Sequence, residues 1–240
     1  MRDYLIFTLY GPMQGWGSVA VGEVRPAAQR PTRSGLLGLL AAALGVRRGD
    51  PLLDDLTRTA RVAVREDRPG SVMLDYHTTQ VPSEKKKRVF RTRRQELRTM
   101  LDKDDKLNTI LSRREYLMNA AFSVCIWFED DQPFSMNEIE EALNRPRLNV
   151  YLGRKSCVPG VPFMPEVVAA DDELQALANY QPELRKDYGA RPLDKCPIWT
   201  EANHGDFIAY TVRDRVTDHN RRQFGTRFEY HVPPAPAGEE

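Results

Sequence analysis

The chain opens on a seven-residue apolar segment, Tyr4 to Tyr10, rich in aromatic and β-branched residues and closed by Gly11-Pro12. That pattern predicts a buried strand. Ser34 to Leu44 carries leucines and alanines at helical spacing behind Thr32 or Ser34 as N-cap, with Gly45 as the stop, which predicts a helix. Ala60 to Arg65 alternates like a strand, and Val72 to Thr78 does so again after Arg68-Pro69-Gly70. Phe122 to Phe128, FSVCIWF, is nearly continuous in apolar residues and predicts a central strand. Asn137 to Asn144 follows Ser135 as a short helix with Ile139 and Leu143 on its inner face. A further strand after Asn149 would complete a βαββαβ order, as in ferredoxin-like and RNA-recognition folds.

Between Thr79 and Asn119 the pattern breaks. This stretch is too polar to form a core of its own, and an insertion of this length inside a compact domain is commonly functional. Arg91 to Leu111 holds enough helix formers to become partly helical. Beyond Tyr151 the signals are shorter. YLGRKSC, residues 151–157, reads as a glycine turn leading into Pro159, Pro162 and Pro165. Leu174 to Tyr180 is a short amphipathic helix, Phe207 to Arg213 and Arg227 to Val232 are strands, and Pro233 to Glu240 is a frayed tail. The expected fold is therefore α+β. A ferredoxin-like or RNA-recognition-like amino-terminal domain spans residues 1–150, with a basic insertion at about 80–119. A small β-rich region spans 151–240, either as a second unit or as an extension of the first sheet.

Charge sharpens the picture of the insertion. The whole chain sums to only +1. Yet Gln80 to Glu115 holds twelve basic residues against six acidic ones, so the remainder is net acidic. The distribution favours a projection that grips a polyanion, although a solvated charge run is the plainer alternative. Lys85, Lys86, Lys87, Arg88 and Arg113 are its candidate contacts. A second candidate region lies near the amino terminus. Gln14, Gly15 and Trp16 form the turn after the first strand; Arg25, Arg30 and Arg33 stud the next loop; Thr32 and Ser34 open the helix. Glycine lets a backbone approach closely, arginine offers a planar charged fork, and free N–H groups at a helix start attract anions. Each device has a structural explanation alone, and Trp16 could simply plug the core. Three arginines in one loop point instead to a ligand.

Composition bounds the rest. A hydrophobic content of 41% and a charged content of 29% fit a soluble globular protein. No apolar run suits a bilayer, and Met1 to Tyr4 leads directly into a strand, so neither a membrane span nor a signal peptide is expected and the cytoplasm is the natural compartment. Cys125, Cys157 and Cys196 define neither a disulfide framework nor a zinc site. His77, His204, His219 and His231 lack metal-binding spacing, and GxGxxG, Walker A and GxSxG patterns are absent. No cofactor or metal is expected. A metal-independent ribonuclease using Tyr76, His77 and Lys85 to Lys87 remains the enzymatic alternative.

Several segments together resemble one known family. GPMQGWG at 11–17 and RPTRSGLLGLLAAALG at 30–45 are the most specific. DYHT, REYL, AFSVCIWF, YLGRKSC and RQFGTRFEY follow in order, so the resemblance runs from Met1 to about Val232. The chain resembles the Cas-five family of CRISPR proteins in its type I-E form, a subunit of the surveillance complex Cascade. The resemblance implies an RNA-recognition-like domain with a hairpin or helical thumb. It implies a non-catalytic subunit that caps the 5′ handle of the CRISPR RNA, beside the CasC backbone subunit and the large CasA subunit. It also implies that target DNA is met through the assembled complex, in antiviral defence. Gln14 to Gly17 and Arg25 to Ser34 would lie along the handle, and Trp16 could stack on an extruded base. Lys85 to Lys106 would be the thumb, and Arg154, Lys155 and Ser156 would approach handle phosphates. Arg222 and Arg227 are weaker candidates. In the type I-C relative a tyrosine, a lysine and a histidine cut RNA, but none of these aligns onto this chain.

Overall fold

The computed structural model describes residues 1–82, 89–99, 107–129 and 132–235. Lys85, Lys86, Lys87 and Arg88, with Lys103 and Lys106, lie outside the described residues.

β1 (Arg2–Tyr10) is buried from Tyr4 to Leu9, as its apolar run requires. After the short strands β2 (Met13–Gln14) and β3 (Val24–Arg25) comes α1 (Arg33–Leu44), whose leucines are buried and which ends at Gly45. α2 (Pro51–Thr59) starts with Asp50 accepting from the Leu52 N–H, a side-chain cap ahead of a proline at the first helical position. β4 (Ala60–Arg68) follows, then β5 (Ser71–Pro82), α3 (Arg93–Thr99), β6 (Leu107–Met118) and β7 (Ala121–Phe128). α4 (Met136–Asn144) opens on a capping box: Ser135 Oγ accepts from the Glu138 N–H, and the Glu138 carboxylate accepts from the Ser135 N–H. β8 (Glu166–Ala170), α5 (Glu173–Asn179), β9 (Ile198–Thr200), β10 (Ile208–Asp218) and β11 (Gln223–Val232) complete the chain.

Seven strands form one antiparallel sheet in the order β10-β11-β9-β4-β7-β1-β8. β9 joins the two halves of the sequence, pairing with β4 on one side and β11 on the other. α1 packs on α4, and α4 also meets β1 and β8. Residues in register across the sheet, Thr8, Ser123 and Arg65, form a polar row beneath α5 and Tyr180.

β5 leaves this sheet altogether. It pairs with β6 over twelve residues, from Ser71↔Met118 to Pro82↔Leu107. β2 pairs antiparallel and β3 parallel with β6, making a second sheet. Val72 to Thr78 is therefore a strand as expected, but it builds a hairpin and does not neighbour β4 in the main sheet. Among the described residues of Arg91 to Leu111, Arg93–Thr99 is helical, the partial helicity expected there. Leu107 to Leu111 is extended, because the edge of β5 offers unpaired backbone groups along its whole length and these override helix propensity.

The polar row contains a fully paired buried charge. Arg65, 1% exposed, donates from Nε to Asp67 Oδ1 at 2.7 Å and from Nη2 to Ser123 Oγ at 2.9 Å; Nη1 donates to the Leu177 carbonyl. Asp67, wholly buried, also accepts from Ser123 Oγ and from Arg185. Removing the carboxylate would strand the arginine charge in the interior. Asp67→Ala is expected to lower unfolding free energy by about 3–5 kcal/mol in urea titrations. A loss below about 1 kcal/mol would mean that the row tolerates an unpaired charge.

Candidate nucleic-acid interface

The glycine turn and the YLGRKSC loop are built against each other. The Gly15 N–H donates to the Leu152 carbonyl at 2.9 Å. Gly153 has φ +87°, and a Cβ there would lie 2.3 Å from the Gly15 carbonyl oxygen, so only glycine suits the crossing. Gln14 is buried, donating from Nε2 to the Ala120 carbonyl and accepting from Trp16 Nε1 at 2.8 Å. Trp16 is fully buried, its ring against Gly35 in the first turn of α1, where a Cβ would come within 3.0 Å of the indole. Its polar edge and its faces are thus held by the protein, the core-plug arrangement.

Arg154 acts as a clamp. Its guanidinium donates to the Glu115 carbonyl at 2.8 Å and the Arg25 carbonyl at 2.9 Å, and lies 4.8 Å from the Tyr116 ring centroid. This ties the 151–157 loop to β3 and β6. The clamp gathers cations at the base of the β5–β6 hairpin. Arg25 and Arg113 are exposed there, with Val24 opposite Arg113 in the register, and Lys155 and Ser156 are exposed on the next residues of the loop. Arg113 also covers the Tyr76 ring at 5.7 Å.

Arg30 and Arg33 are placed differently, inside a network of three arginines and three carboxylates. Arg33, 3% exposed, pairs through Nε with Glu201 at 2.8 Å and donates from Nη2 to the carbonyls of Thr57 and Ala60. Arg227 pairs with Asp214 at 2.6 Å, Glu229 at 2.8 Å and Glu201 at 3.3 Å. Arg30 pairs with Glu229 and stacks 4.8 Å from the Trp199 centroid. Burial raises the Glu201 pKa against the pull of Arg33 and Arg227. Burial also lowers that of Arg33, opposed first by Glu201. Desolvation works against Arg227 as well, but the bond to Asp214 and the charges around it outweigh burial and hold its pKa above the usual range. Arginine keeps its charge throughout.

The start of α1 belongs to the same network. Thr32 occupies the N-cap position but makes no side-chain capping bond among the described residues. The Arg33 N–H donates instead to Asp214 Oδ2 at 2.7 Å, so a carboxylate from the far end of the chain takes the first of the anion-attracting donors. No local pattern around residue 33 foretold this, because Glu201, Asp214 and Glu229 lie in β-rich sequence about 170–200 positions away.

A groove of about 700 Å³ remains open beside this network. The loop from Gly17 to Ala20, Thr32, Ser34, Gly35, Gly153 and the tip of the β10–β11 hairpin line it. It continues along α1, where Gly38 and Ala42 form a floor and Arg47, Arg48 and Arg222 add charge. Arg47, Arg48, Arg213 and Arg222 are all exposed. The tandem arginines after Gly45 and Arg213 in β10 escaped the sequence reading, although RQFGTRFEY flagged Arg222. Tyr76 and His77 are consecutive in β5 and so face opposite sides of the hairpin; His77 Nδ1 meets Asp75 at 2.7 Å. The two do not converge on one point. Among the described residues the three cysteines are unpaired and buried, and no cluster of histidine, cysteine and acidic side chains has a metal-holding arrangement.

A family model described as CRISPR-associated protein (Cas_Cas5) matches residues 4–230. The chain belongs to the Cas-five family. The CRISPR system Cascade subunit CasD of Escherichia coli (strain K12) is 35% identical over 241 residues, covering 97% of this Cas-five chain and 96% of the relative. A chain of a solved CRISPR RNA-guided surveillance complex is 29% identical with a TM-score of 0.68, over 98% of this chain and 91% of that one. A crystal structure of a Cas protein is 28% identical with a TM-score of 0.58, over 97% and 99%. The match extends across β9 to β11, the region that supplies the network's carboxylates.

The network gives this Cas-five protein a specific vulnerability. Arg33→Ala would leave Glu201 buried beside one remaining arginine and empty the space under α1. The expected cost is about 3–5 kcal/mol in chemical denaturation, with Arg33→Lys recovering only part. A variant as stable as the parent would show that Arg33 is dispensable to the fold.

Proposed function

We propose that this Cas-five chain is a non-catalytic subunit of a type I-E surveillance complex and caps the 5′ handle of its CRISPR RNA. The observation that carries this reading is the groove beside α1, walled by Arg213 and Arg222 and continuous with exposed Arg47 and Arg48. Near-complete coverage of a Cascade subunit at 35% identity supports it. The handle's backbone would run over the Gly17–Ala20 loop, past Gly153 and toward Lys155, Ser156 and Arg25. Arg30, Arg33, Trp16 and Gln14 shape this path from beneath, and Thr32 and Ser34 line it.

The same reading gives the architecture its roles. The order β4-β7-β1-β8, connected through α1 and α4, suits a ferredoxin-like core of the RNA-recognition kind. The β5–β6 hairpin with α3 is the thumb, carrying Arg113 toward the first spacer bases. The carboxy-terminal region after residue 150 gives β8 to that core and closes the groove with its β10–β11 hairpin. Neighbouring CasC and CasA subunits, target DNA engaged by the assembled complex, and a cytoplasmic location follow from the same assignment. No helix among the described residues is long and apolar enough to cross a membrane.

Handle-RNA binding measured across 50–200 mM salt tests this proposal. Replacing Arg25, Lys155 and Arg222 together with alanine is expected to weaken binding and to reduce the log–log salt slope by about 2, since each single-strand phosphate contact contributes about 0.7. Unchanged affinity and slope would refute the assignment. Discrete cleavage of repeat RNA in chelator, abolished by His77→Ala, would replace it with the ribonuclease reading.

A further inference from the structure

A second basic site lies across the ionic network from the groove. Arg58 at the end of α2, Arg61 in β4, Arg215 in β10, and Arg33 and Arg227 from the network line a pocket of about 250 Å³ with a single carboxylate, Glu201. It shares no lining residue with the groove along α1. Two observations set it apart from a solvated charge cluster. Nη1 of Arg33 and Nη1 of Arg227 are buried and have no hydrogen-bond partner among the described residues. Arg33 is 3% exposed as a residue, and the Arg227 side chain is 9% exposed. A buried donor without an acceptor carries an unrecovered desolvation cost, so such donors are rare and call for an occupant.

The charges at the pocket are only partly answered from within. Arg61 pairs with Glu129 at 2.6 Å, and Arg58 meets Asp55 at 3.3 Å on the exposed side of α2. Arg215 is exposed and makes no ion pair among the described residues. Arg33 and Arg227 divide one carboxylate between them at this edge of the network. An incoming anion would pair first with exposed Arg215, and a small shift of the Arg33 or Arg227 guanidinium would then offer its orphan Nη1 donor an acceptor.

We infer that this arginine-lined pocket binds a phosphate group of a nucleotide or nucleic-acid strand. A carboxylate offers two oxygens and is served by one arginine fork, whereas a phosphate presents oxygens in several directions and suits convergent guanidiniums. The volume falls below the roughly 300–1,000 Å³ of pockets that enclose a whole small molecule, so it fits one anionic group with its substituents outside. Phe228 lines the same pocket and is 64% exposed, an apolar ring placed where a base next to the phosphate can stack. The site shares no lining residue with the groove of the handle path proposed above, and only Arg33, which supports that path from beneath, connects the two.

Calorimetric titration of the full chain with inorganic phosphate, adenosine 5′-monophosphate and adenosine tests the inference. Phosphate and the monophosphate should bind and adenosine should not. The Arg58→Ala/Arg215→Ala double variant changes only exposed side chains and should weaken both ligands about tenfold or more. Arg215→Ala alone should give a smaller loss in the same direction. Phe228→Ala should weaken the monophosphate and leave inorganic phosphate unchanged. Lys155→Ala should leave phosphate titrations unchanged whether or not it impairs handle binding, so the two assignments fail separately. Equal phosphate binding in parent and double variant would overturn the inference. So would equal binding of adenosine and its monophosphate, or arginine-dependent binding of an acidic peptide in their place.

Discussion

Three carboxylates near the carboxy terminus, Glu201, Asp214 and Glu229, hold three arginines from opposite ends of the chain in one buried network. The geometry of the rest follows from this constraint. Asp214 fixes the first turn of α1 and pairs with Arg227, so the helix start and the β10–β11 hairpin cannot move independently. Buried ion pairs contribute little net stability compared with an apolar core, but breaking one is costly. Such a network specifies an arrangement more than it strengthens one. Here it sets the separation between the helix and the hairpin, and that separation is the groove.

The network also sorts the arginines by role. Those at 30, 33 and 227 are engaged by carboxylates and act on a ligand mainly through the walls they position. Those at 25, 47, 48, 213 and 222 remain exposed around the groove and its continuation toward β6. Arg154 stands between the two classes, its donors spent on the carbonyls of Glu115 and Arg25 while its neighbours Lys155 and Ser156 face outward. A polyanion would therefore meet a glycine-lined floor with exposed charges at its edges.

Local elements were legible wherever periodicity and punctuation agreed. The buried run of β1, the FSVCIWF strand, α1 between Thr32 and Gly45, and the short helix after Ser135 all emerge from short-range pattern. The pairing of Val72 to Thr78 was not legible, since a strand's own residues do not name its partner. The fate of Leu107 to Leu111 was decided by the open edge of β5, against its local helix-forming context. At the site, the glycine turn and the YLGRKSC loop were found from composition, but the burial of Trp16 and Arg33 depends on Gly35 and on acids far along the chain. Loop arginines look alike in sequence whether they face a phosphate or a distant carboxylate. The exposed Arg47, Arg48 and Arg213 escaped because each sits beside a well-patterned element that drew the reading elsewhere.

Photocrosslinking from thiouridine placed at successive handle positions, within the assembled complex, tests the groove directly. The account predicts adducts on this chain at residues 17–20, 153–156 and 222–224, in an order that follows the groove from one end to the other. Adducts confined to other subunits, or on this chain only at surfaces remote from α1, would contradict it.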